Sequence, residues 1–201
     1  MRQLLRPFVL FVAALAVATA ARAEVDLDAA LKDRVMGDPN APVTIIEYAS
    51  MTCPHCASFH AGVLTELKTR YIDTGKAKLV FRDFPLDGLA LRASMLARCA
   101  PDPMYFRFVD VLFTSQAQWS RAGDPIVALN GIGRMGGLTS DQIAACLESE
   151  PLMDGILRMR QEGSNSFDVN STPSFIINGE KHSGALTIDE FADIIDPLVA
   201  N

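Results

Sequence analysis

The chain has few charged and few aromatic side chains. Of its 201 residues, 21% are charged and 7% are aromatic, with a single Trp. Acidic residues outnumber basic ones by 24 to 18, and Lys and Arg form no cluster. Such a surface is poorly suited to phosphate backbones, so we expect no nucleic-acid partner. Internal repeats and low-complexity linkers are also missing from the sequence, and its apolar share of 49% suits a compact chain with a substantial core.

The sequence also lacks an apolar run long enough to cross a membrane. Its N-terminal run, Phe8–Ala18, is uncharged but shorter than the about 20 residues that a spanning helix needs. Two arginines precede this run, and the small-x-small triplet Ala21-Arg22-Ala23 follows it. These three parts predict a signal peptide over residues 1–23, cleaved after Ala23, rather than a membrane anchor. All four cysteines lie in the exported part, where disulfides persist.

Strand and helix signals alternate in the first half of the exported chain. Residues 42–50 (PVTIIEYAS) are β-branched and mostly apolar, which predicts a buried strand. From Pro54 to Tyr71 apolar residues recur at helical spacing without a further proline, which predicts one helix. Residues 78–84 (KLVFRDF) predict a second strand. A strand, a helix and a strand of these lengths form a β-α-β unit with a parallel pair of strands.

The second half is first helical and then mixed. Residues 88–163 contain several helical stretches and little strand signal, and a capping box begins at Thr139. Residues 174–177 (SFII), the turn Asn178-Gly179 and a returning strand then predict a hairpin. A second capping box, which begins at Thr187, opens a last amphipathic helix.

This order of elements is typical of one fold. A β-α-β unit, a helical block, and a hairpin with a final helix predict the α/β class, as a thioredoxin-like fold with an inserted helical domain. We expect the thioredoxin parts at about residues 40–86 and 165–201, and the insertion at about residues 87–164. Together they form one domain over residues 24–201.

The tetrapeptide Cys53-Pro54-His55-Cys56 is the candidate for chemistry, because it follows a buried strand and begins a helix. At a helix N-terminus, free backbone N–H groups and the positive end of the dipole stabilise a thiolate, here that of Cys53. We therefore expect Cys53 to be the exposed attacking sulfur and Cys56 the resolving one. Pro54 suits the first helical turn, and His55 adds donors or partial positive charge. A stabilised thiolate is a good leaving group, so the pair tends to give its disulfide away.

Other uses of a Cys-x-x-Cys pair fit the sequence less well. A zinc site needs four ligands, and only His60 is available nearby as a third. A c-type haem needs a His directly after the second cysteine, where Ala57 stands. A purely structural disulfide stays open. His60 is five positions after His55 and points to a different side of the helix, so we expect it at the surface or in the core rather than in catalysis.

The same tetrapeptide resembles the active-site motif of the DsbA family of periplasmic thiol–disulfide oxidoreductases. Glu47, six residues before Cys53, matches the family's buried acidic residue. Thr172-Pro173 resembles the loop that carries the family's cis-proline. The resemblance covers about residues 37–198. It departs from the best-known pattern at Thr172, where an aliphatic residue is usual, and a hydroxyl at this position could hydrogen-bond the Cys53 thiolate.

The residues themselves give physical reasons for these roles. Glu47 on a buried strand needs a partner or a proton, and could then exchange a proton with Cys56. The alternative is a side chain that reaches solvent at the strand edge. A cis bond before Pro173 would form a tight turn and leave the Thr172 backbone free to pair with an extended substrate. A trans bond is the commoner state of such a peptide in general.

The four cysteines allow three pairings, and their spacing favours a redox-active Cys53–Cys56 disulfide with a structural Cys99–Cys146 disulfide. Closing the short loop removes about 2 kcal/mol of chain entropy, and closing the long one about 4 kcal/mol. The first pair therefore suits exchange and the second suits structure. We expect the second disulfide to join two helices of the insertion; the alternative is two buried free thiols.

The resemblance implies a function. The chain would donate its Cys53–Cys56 disulfide to reduced, unfolded secreted proteins in the periplasm, through a mixed disulfide on Cys53. A quinone-linked membrane partner of the DsbB type would reoxidise the pair, and no cofactor or metal is implied. The segment before residue 37 is too short for the dimerisation module of related isomerases, so we expect a monomer. The alternatives are a disulfide isomerase or reductase kept reduced by a membrane donor, and a chaperone or binding module without turnover.

Overall fold

A five-stranded mixed sheet forms the centre of the computed structural model, which describes residues 24–200. Its strands are β1 (Arg34–Met36), β2 (Val43–Ala49), β3 (Ala77–Asp83), β4 (Ser174–Ile177) and β5 (Glu180–Ser183). The strand order is β1-β3-β2-β4-β5; β2 and β3 run parallel, and the other neighbouring pairs are antiparallel. The predicted parallel pair and the predicted hairpin are thus confirmed. The predicted signal peptide lies outside the described residues.

The helices lie before, between and after the strands. They are α1 (Leu27–Leu31) before β1; α2 (Pro54–Ala61), α3 (Val63–Leu67) and a π-helical turn (Lys68–Ile72) between β2 and β3; α4 (Gly88–Arg98), α5 (Tyr105–Thr114), α6 (Gln116–Ser120), α7 (Pro125–Met135), α8 (Ser140–Glu148) and α9 (Glu150–Phe167) between β3 and β4; and α10 (Ile188–Val199) at the end. The helical block predicted between the two halves of the sheet is confirmed. Both predicted capping boxes are also present, at Thr139 and Thr187.

One predicted helix differs from the structure. The single helix expected from Pro54 to Tyr71 is wrong, because the chain breaks at Gly62 and ends in a π-helical turn. Glycine has a low helix propensity, while the apolar spacing continues across it and conceals the break. The sequence pattern also missed α1, β1, α6 and α7, of which three have only three to five residues. Short elements carry too few periods for a pattern to be recognised.

Alternate residues of the strands place two hydrophobic cores on one face of the sheet and a smaller one, around Tyr48 and Ile176, on the other. One core joins β2, β3 and β4 to α2, α3 and α10, with Phe59, Phe175 and Phe191 at its centre. The larger core lies between the sheet and helices α4 to α9, and both Cys53 and Cys56 belong to it. The cysteine pair thus lies where the helical block packs onto the end of β2. Within residues 24–200, no helix has the length and apolar character that crossing a membrane requires.

A buried ion pair fixes the helical block to the sheet. Arg98 at the end of α4 donates from Nε to Asp83 Oδ2 at the end of β3 over 2.6 Å, and both side chains are fully buried. The same guanidinium donates to the backbone carbonyls of Lys32 and Ala30, at 2.9 and 3.3 Å. These bonds satisfy a buried charge that would otherwise be costly. They hold α1, β3 and α4 in one arrangement.

Candidate active site

The cysteine pair is placed by the turn between β2 and α2. Cys53 is the N-cap of α2 with extended backbone angles (φ −78°, ψ 119°), and Pro54 occupies the first helical turn, where a missing N–H costs nothing. Pro54 and His55 are exposed at the rim. Cys53 is 6% exposed and Cys56 is fully buried. Cys53 is therefore the accessible sulfur of the two, although less of it reaches solvent than we expected from the sequence.

Hydrogen-bond donors converge on the sulfur of Cys53. Together they lower the pKa of Cys53 from 9.0 to about 5, chiefly through the Cys56 thiol and against the effect of burial. The Thr172 hydroxyl and the backbone N–H groups of Cys56 and His55 add to the lowering. These N–H groups are unpaired donors of the first helical turn, as the sequence predicts. His55 thus acts on the sulfur through its backbone.

Cys56 has the opposite electrostatics. Burial raises the pKa of the Cys56 thiol well above its ordinary value, and the sulfur of Cys53 and the charge of Glu47 raise it further. At neutral pH one sulfur of the reduced pair is a thiolate and the other a thiol. The pair is thereby asymmetric: Cys53 is poised to react and Cys56 to hold a proton.

The loop before β4 lies against Cys53. The Thr172–Pro173 peptide bond is cis, and the Cys53 thiol lies 3.2 Å from the Thr172 carbonyl oxygen, to which it can donate. Gly184 N–H donates to the Pro173 carbonyl at 2.9 Å and ties the loop to the segment after β5. The buried Thr172 hydroxyl has no conventional acceptor among the described residues. It is therefore available as a donor to the nearby sulfur of Cys53.

Glu47 lies near enough to Cys56 for its charge to act on that thiol, and it has a partner that the sequence did not suggest. Its side chain is fully buried on β2, so the alternative of a solvent-facing carboxylate is wrong. His60 Nε2 lies 3.0 Å from Glu47 Oε1 and 3.2 Å from Oε2. His60 is buried, as one of our two expectations for it allowed, and it contacts a residue of the candidate site. Its spacing from Cys56, four residues on one helix face, was the signal that could have revealed this.

A second residue that sequence reasoning missed comes from the helical block. Gln116 at the start of α6 is buried, and its Nε2 donates to the carbonyls of Met51 at 2.9 Å and Cys53 at 3.0 Å. One amide group thus holds both ends of the turn that precedes the catalytic helix. No local pattern indicates this contact, because Gln116 is 63 residues from Cys53 in sequence.

The other two cysteines lie apart from this site. Cys99, at the C-terminal end of α4, is disulfide-bonded to Cys146 of α8, with a Cα–Cα distance of 6.3 Å. The bond joins two helices of the block between β3 and β4. Within residues 24–200, no group of three His, Cys, Asp or Glu side chains could hold a metal ion. The described residues therefore offer no zinc site at the Cys-x-x-Cys pair.

Comparisons with known proteins agree with this geometry. A sequence model of the family described as Thioredoxin matches residues 29–197. The crystal structure of alpha-DsbA1 from Wolbachia pipientis is similar with a TM-score of 0.78 and 35% identity, over 84% of this chain and 92% of that one. BdbD from Bacillus subtilis, at 17% identity, shares the fold with a TM-score of 0.76, over 90% of this chain and 99% of its own.

A curated relative extends the similarity at the sequence level. The Rickettsia felis protein named "Putative protein-disulfide oxidoreductase" is 33% identical over 165 residues, which are 82% of this chain and 59% of that protein. The chain spans about three-fifths of the length of such curated relatives. The family match over most of the sequence, the shared structure and the cysteine pair beside a cis-proline lead to one assignment. The chain belongs to the DsbA-like group of the thioredoxin family.

Proposed function

We propose that this chain is a periplasmic thiol–disulfide oxidoreductase that donates its Cys53–Cys56 disulfide to reduced exported proteins. The observation that carries the proposal is the asymmetry of the pair, with the pKa of Cys53 lowered to about 5 and that of Cys56 raised. A thiolate that the protein stabilises makes the dithiol state favourable and the disulfide easy to reduce. The pair therefore passes its disulfide on.

The lowered pKa has a large effect at neutral pH. A thiol with a pKa of about 5 is about 99% ionised at pH 7, whereas one at 9.0 is about 1% ionised. Cys53 is thus about a hundredfold richer in thiolate than an ordinary cysteine. Because a low pKa also improves a leaving group, Cys53 is released readily from a mixed disulfide.

The exchange is balanced in two steps. A substrate thiolate attacks Cys53 Sγ, a bond forms between these sulfurs, and the Cys53–Cys56 bond breaks with its electron pair on Cys56, which takes up a proton. A second substrate thiolate then attacks the substrate sulfur of the mixed disulfide, and Cys53 leaves as a thiolate. The substrate ends with a disulfide, and the pair ends reduced by two electrons.

The cis-proline loop gives the substrate a place to bind. Thr172 precedes Pro173 beside Cys53, and its backbone can pair with an extended peptide in the manner of an added strand. Unfolded exported proteins supply such extended segments. By family resemblance, a quinone-linked membrane protein of the DsbB type reoxidises the pair. We propose that the protein acts as a monomer.

The test uses residues 24–201 with the Cys53–Cys56 disulfide formed. We expect it to oxidise a reduced two-cysteine peptide stoichiometrically. A Cys56→Ser variant that carries a mixed disulfide with a one-cysteine peptide should retain it on Cys53, because no second thiol is present to resolve it. The matched Cys53→Ser variant should oxidise nothing. Full thiol oxidation by Cys53→Ser would contradict the proposal, and a wild type that binds the peptide but oxidises nothing would support a binding module.

Refolding of ribonuclease tests separately whether the protein acts as an oxidase or as an isomerase. An oxidase restores activity to the reduced enzyme faster than to the scrambled one, whereas an isomerase does the reverse. The equilibrium with glutathione gives the reduction potential of the pair. A value much less negative than thioredoxin's, about −270 mV, agrees with a disulfide donor, and a value near it contradicts the proposal.

A further inference from the structure

The Glu47–His60 pair is an enclosed polar contact near the active site. The exposed fraction is 0% for the Glu47 side chain and 2% for the His60 side chain. The imidazole stacks on Phe113 with ring centroids 4.2 Å apart, and the rings of Phe59 and Phe81 lie 5.5 and 6.0 Å away. In such apolar surroundings a carboxyl oxygen and an imidazole nitrogen 3.0 Å apart form a hydrogen bond, because neither group could stand as a lone charge without cost.

Other titratable groups around Glu47 come from two helices. From α2, Cys56 faces it, and the charge of Glu47 helps to raise the pKa of that thiol. From α5, Tyr105 also lies near Glu47. Burial is the main cause that raises the pKa of the Tyr105 hydroxyl, and the charge of Glu47 raises it further. Both groups are neutral near pH 7. Arg98, beyond Tyr105, pairs with Asp83. Among these groups, His60 is the direct hydrogen-bond partner of the carboxyl.

We propose that His60 is a positioning residue which holds Glu47 near Cys56 and shares with it the proton that Cys56 receives when the disulfide opens. The inference rests on the proposed function, since it concerns the first step of the exchange. It assigns to His60 a part in the reaction that a packed core histidine does not have.

The proton balance of the step is explicit. When the substrate thiolate bonds to Cys53 Sγ, the electron pair of the broken bond stays on Cys56 Sγ, in a site where burial disfavours a thiolate. That sulfur takes the proton held by Glu47 and His60. The neutral imidazole, with its remaining proton on Nε2, then donates to the Glu47 carboxylate, so the negative charge moves from a buried sulfur to a hydrogen-bonded carboxylate. Glu47 and His60 later regain a proton from water.

The contact also explains why the imidazole is needed. Without it, Glu47 would be a buried carboxylate with no hydrogen-bond donor among the described residues, which is costly. Its charge would then be disfavoured, and Cys56 would have no group ready to exchange a proton. A glutamine at position 60 can still donate to Glu47 but cannot carry the proton. His60→Gln therefore separates holding the carboxyl from proton exchange.

The kinetic test follows opening of the Cys53–Cys56 disulfide by an aryl thiol that is ionised throughout pH 5–10, so that the attacking group adds no pH dependence. In the wild type we expect the rate to fall at high pH, where the pair loses its shared proton. His60→Gln and Glu47→Gln should react about 100-fold more slowly at pH 7, the low end for general acid catalysis, and without this fall. The matched control is His182→Gln on β5, which should follow the wild type.

Nuclear magnetic resonance of the folded wild type supplies a readout that a purely structural role would not move. The chain has three histidines, so the ring nitrogens of His60 can be assigned. We expect His60 in the oxidised protein to lose its proton at the same pH at which the rate falls. A His60 ring that does not titrate over pH 5–10, or that titrates away from the kinetic midpoint, overturns the inference, even where a variant fails to fold.

The outcome for the proposed function is separate. An oxidised wild type that transfers no disulfide to peptide overturns the function itself. A wild type that reacts normally, beside a His60→Gln variant with the same rate and pH profile, overturns the role of His60 alone.

Discussion

Removing the Cys99–Cys146 disulfide should lower the free energy of unfolding by an amount that follows from the length of the loop it closes. The two cysteines are separated by 47 residues, and they connect the end of α4 to α8. A loop of this length loses about 4 kcal/mol of closure entropy when it is cross-linked in the unfolded chain. At 2–4 °C for each kcal/mol in a chain of this size, we expect the melting temperature to fall by roughly 8–16 °C.

The assay isolates this bond from the redox-active one. In a Cys53→Ala/Cys56→Ala background, urea unfolding followed by circular dichroism with and without dithiothreitol should differ by about 4 kcal/mol. Adding Cys99→Ala and Cys146→Ala should abolish that difference. A dithiothreitol effect below about 1 kcal/mol would refute the reasoning, since the bond would then not restrict the unfolded chain.

Three further predictions concern the active site. Thr172→Val removes one donor to the sulfur of Cys53 and should raise the pKa of Cys53 from about 5 to about 6, measured by thiolate absorbance. Gln116→Ala leaves the carbonyls of Met51 and Cys53 without a donor, and should lower the free energy of unfolding by about 1–3 kcal/mol in urea and slow disulfide transfer. The third prediction concerns pH. Folding lowers the pKa of Cys53 from 9.0 to about 5, so the Cys53 thiolate stabilises the folded reduced protein. This stabilisation is complete above pH 9, decreases as the pH falls, and is absent below about pH 5. The urea midpoint of the reduced protein, relative to that of the oxidised protein, should therefore decrease as the pH is lowered from 9 to 5. A difference that stays constant over this range would contradict the prediction.

The parts of the fold that the sequence predicts are those with local causes. The run Val43–Ala49 is a strand because it is rich in β-branched, buried residues. Thr187 begins the last helix because its side chain and that of Glu190, three residues later, form a capping box. The position of Cys53 at a helix N-terminus follows from the strand before it and Pro54 after it. These features depend on neighbours within a few residues.

What the sequence did not predict depends on contacts across the fold. Glu47 and His60 lie 13 residues apart on a strand and a helix, and their meeting depends on how α2 packs on the sheet. Gln116 reaches Cys53 from another helix altogether. The small exposure of Cys53 has the same origin, since the helical block and the Thr172 loop cover it. Spacing along α2 places His60 on the same helix face as Cys56, but it does not show which side chains of other elements approach that face.

The central claim is that the fold keeps the sulfur of Cys53 ionised at neutral pH. The most direct measurement is the absorbance of the reduced protein at 240 nm, titrated from pH 3 to pH 10, with Cys53→Ser as the control that removes the signal. We predict a single thiolate transition with a midpoint near pH 5, and no second transition from Cys56 in this range. A midpoint near 9, the ordinary value for a cysteine, would contradict the account.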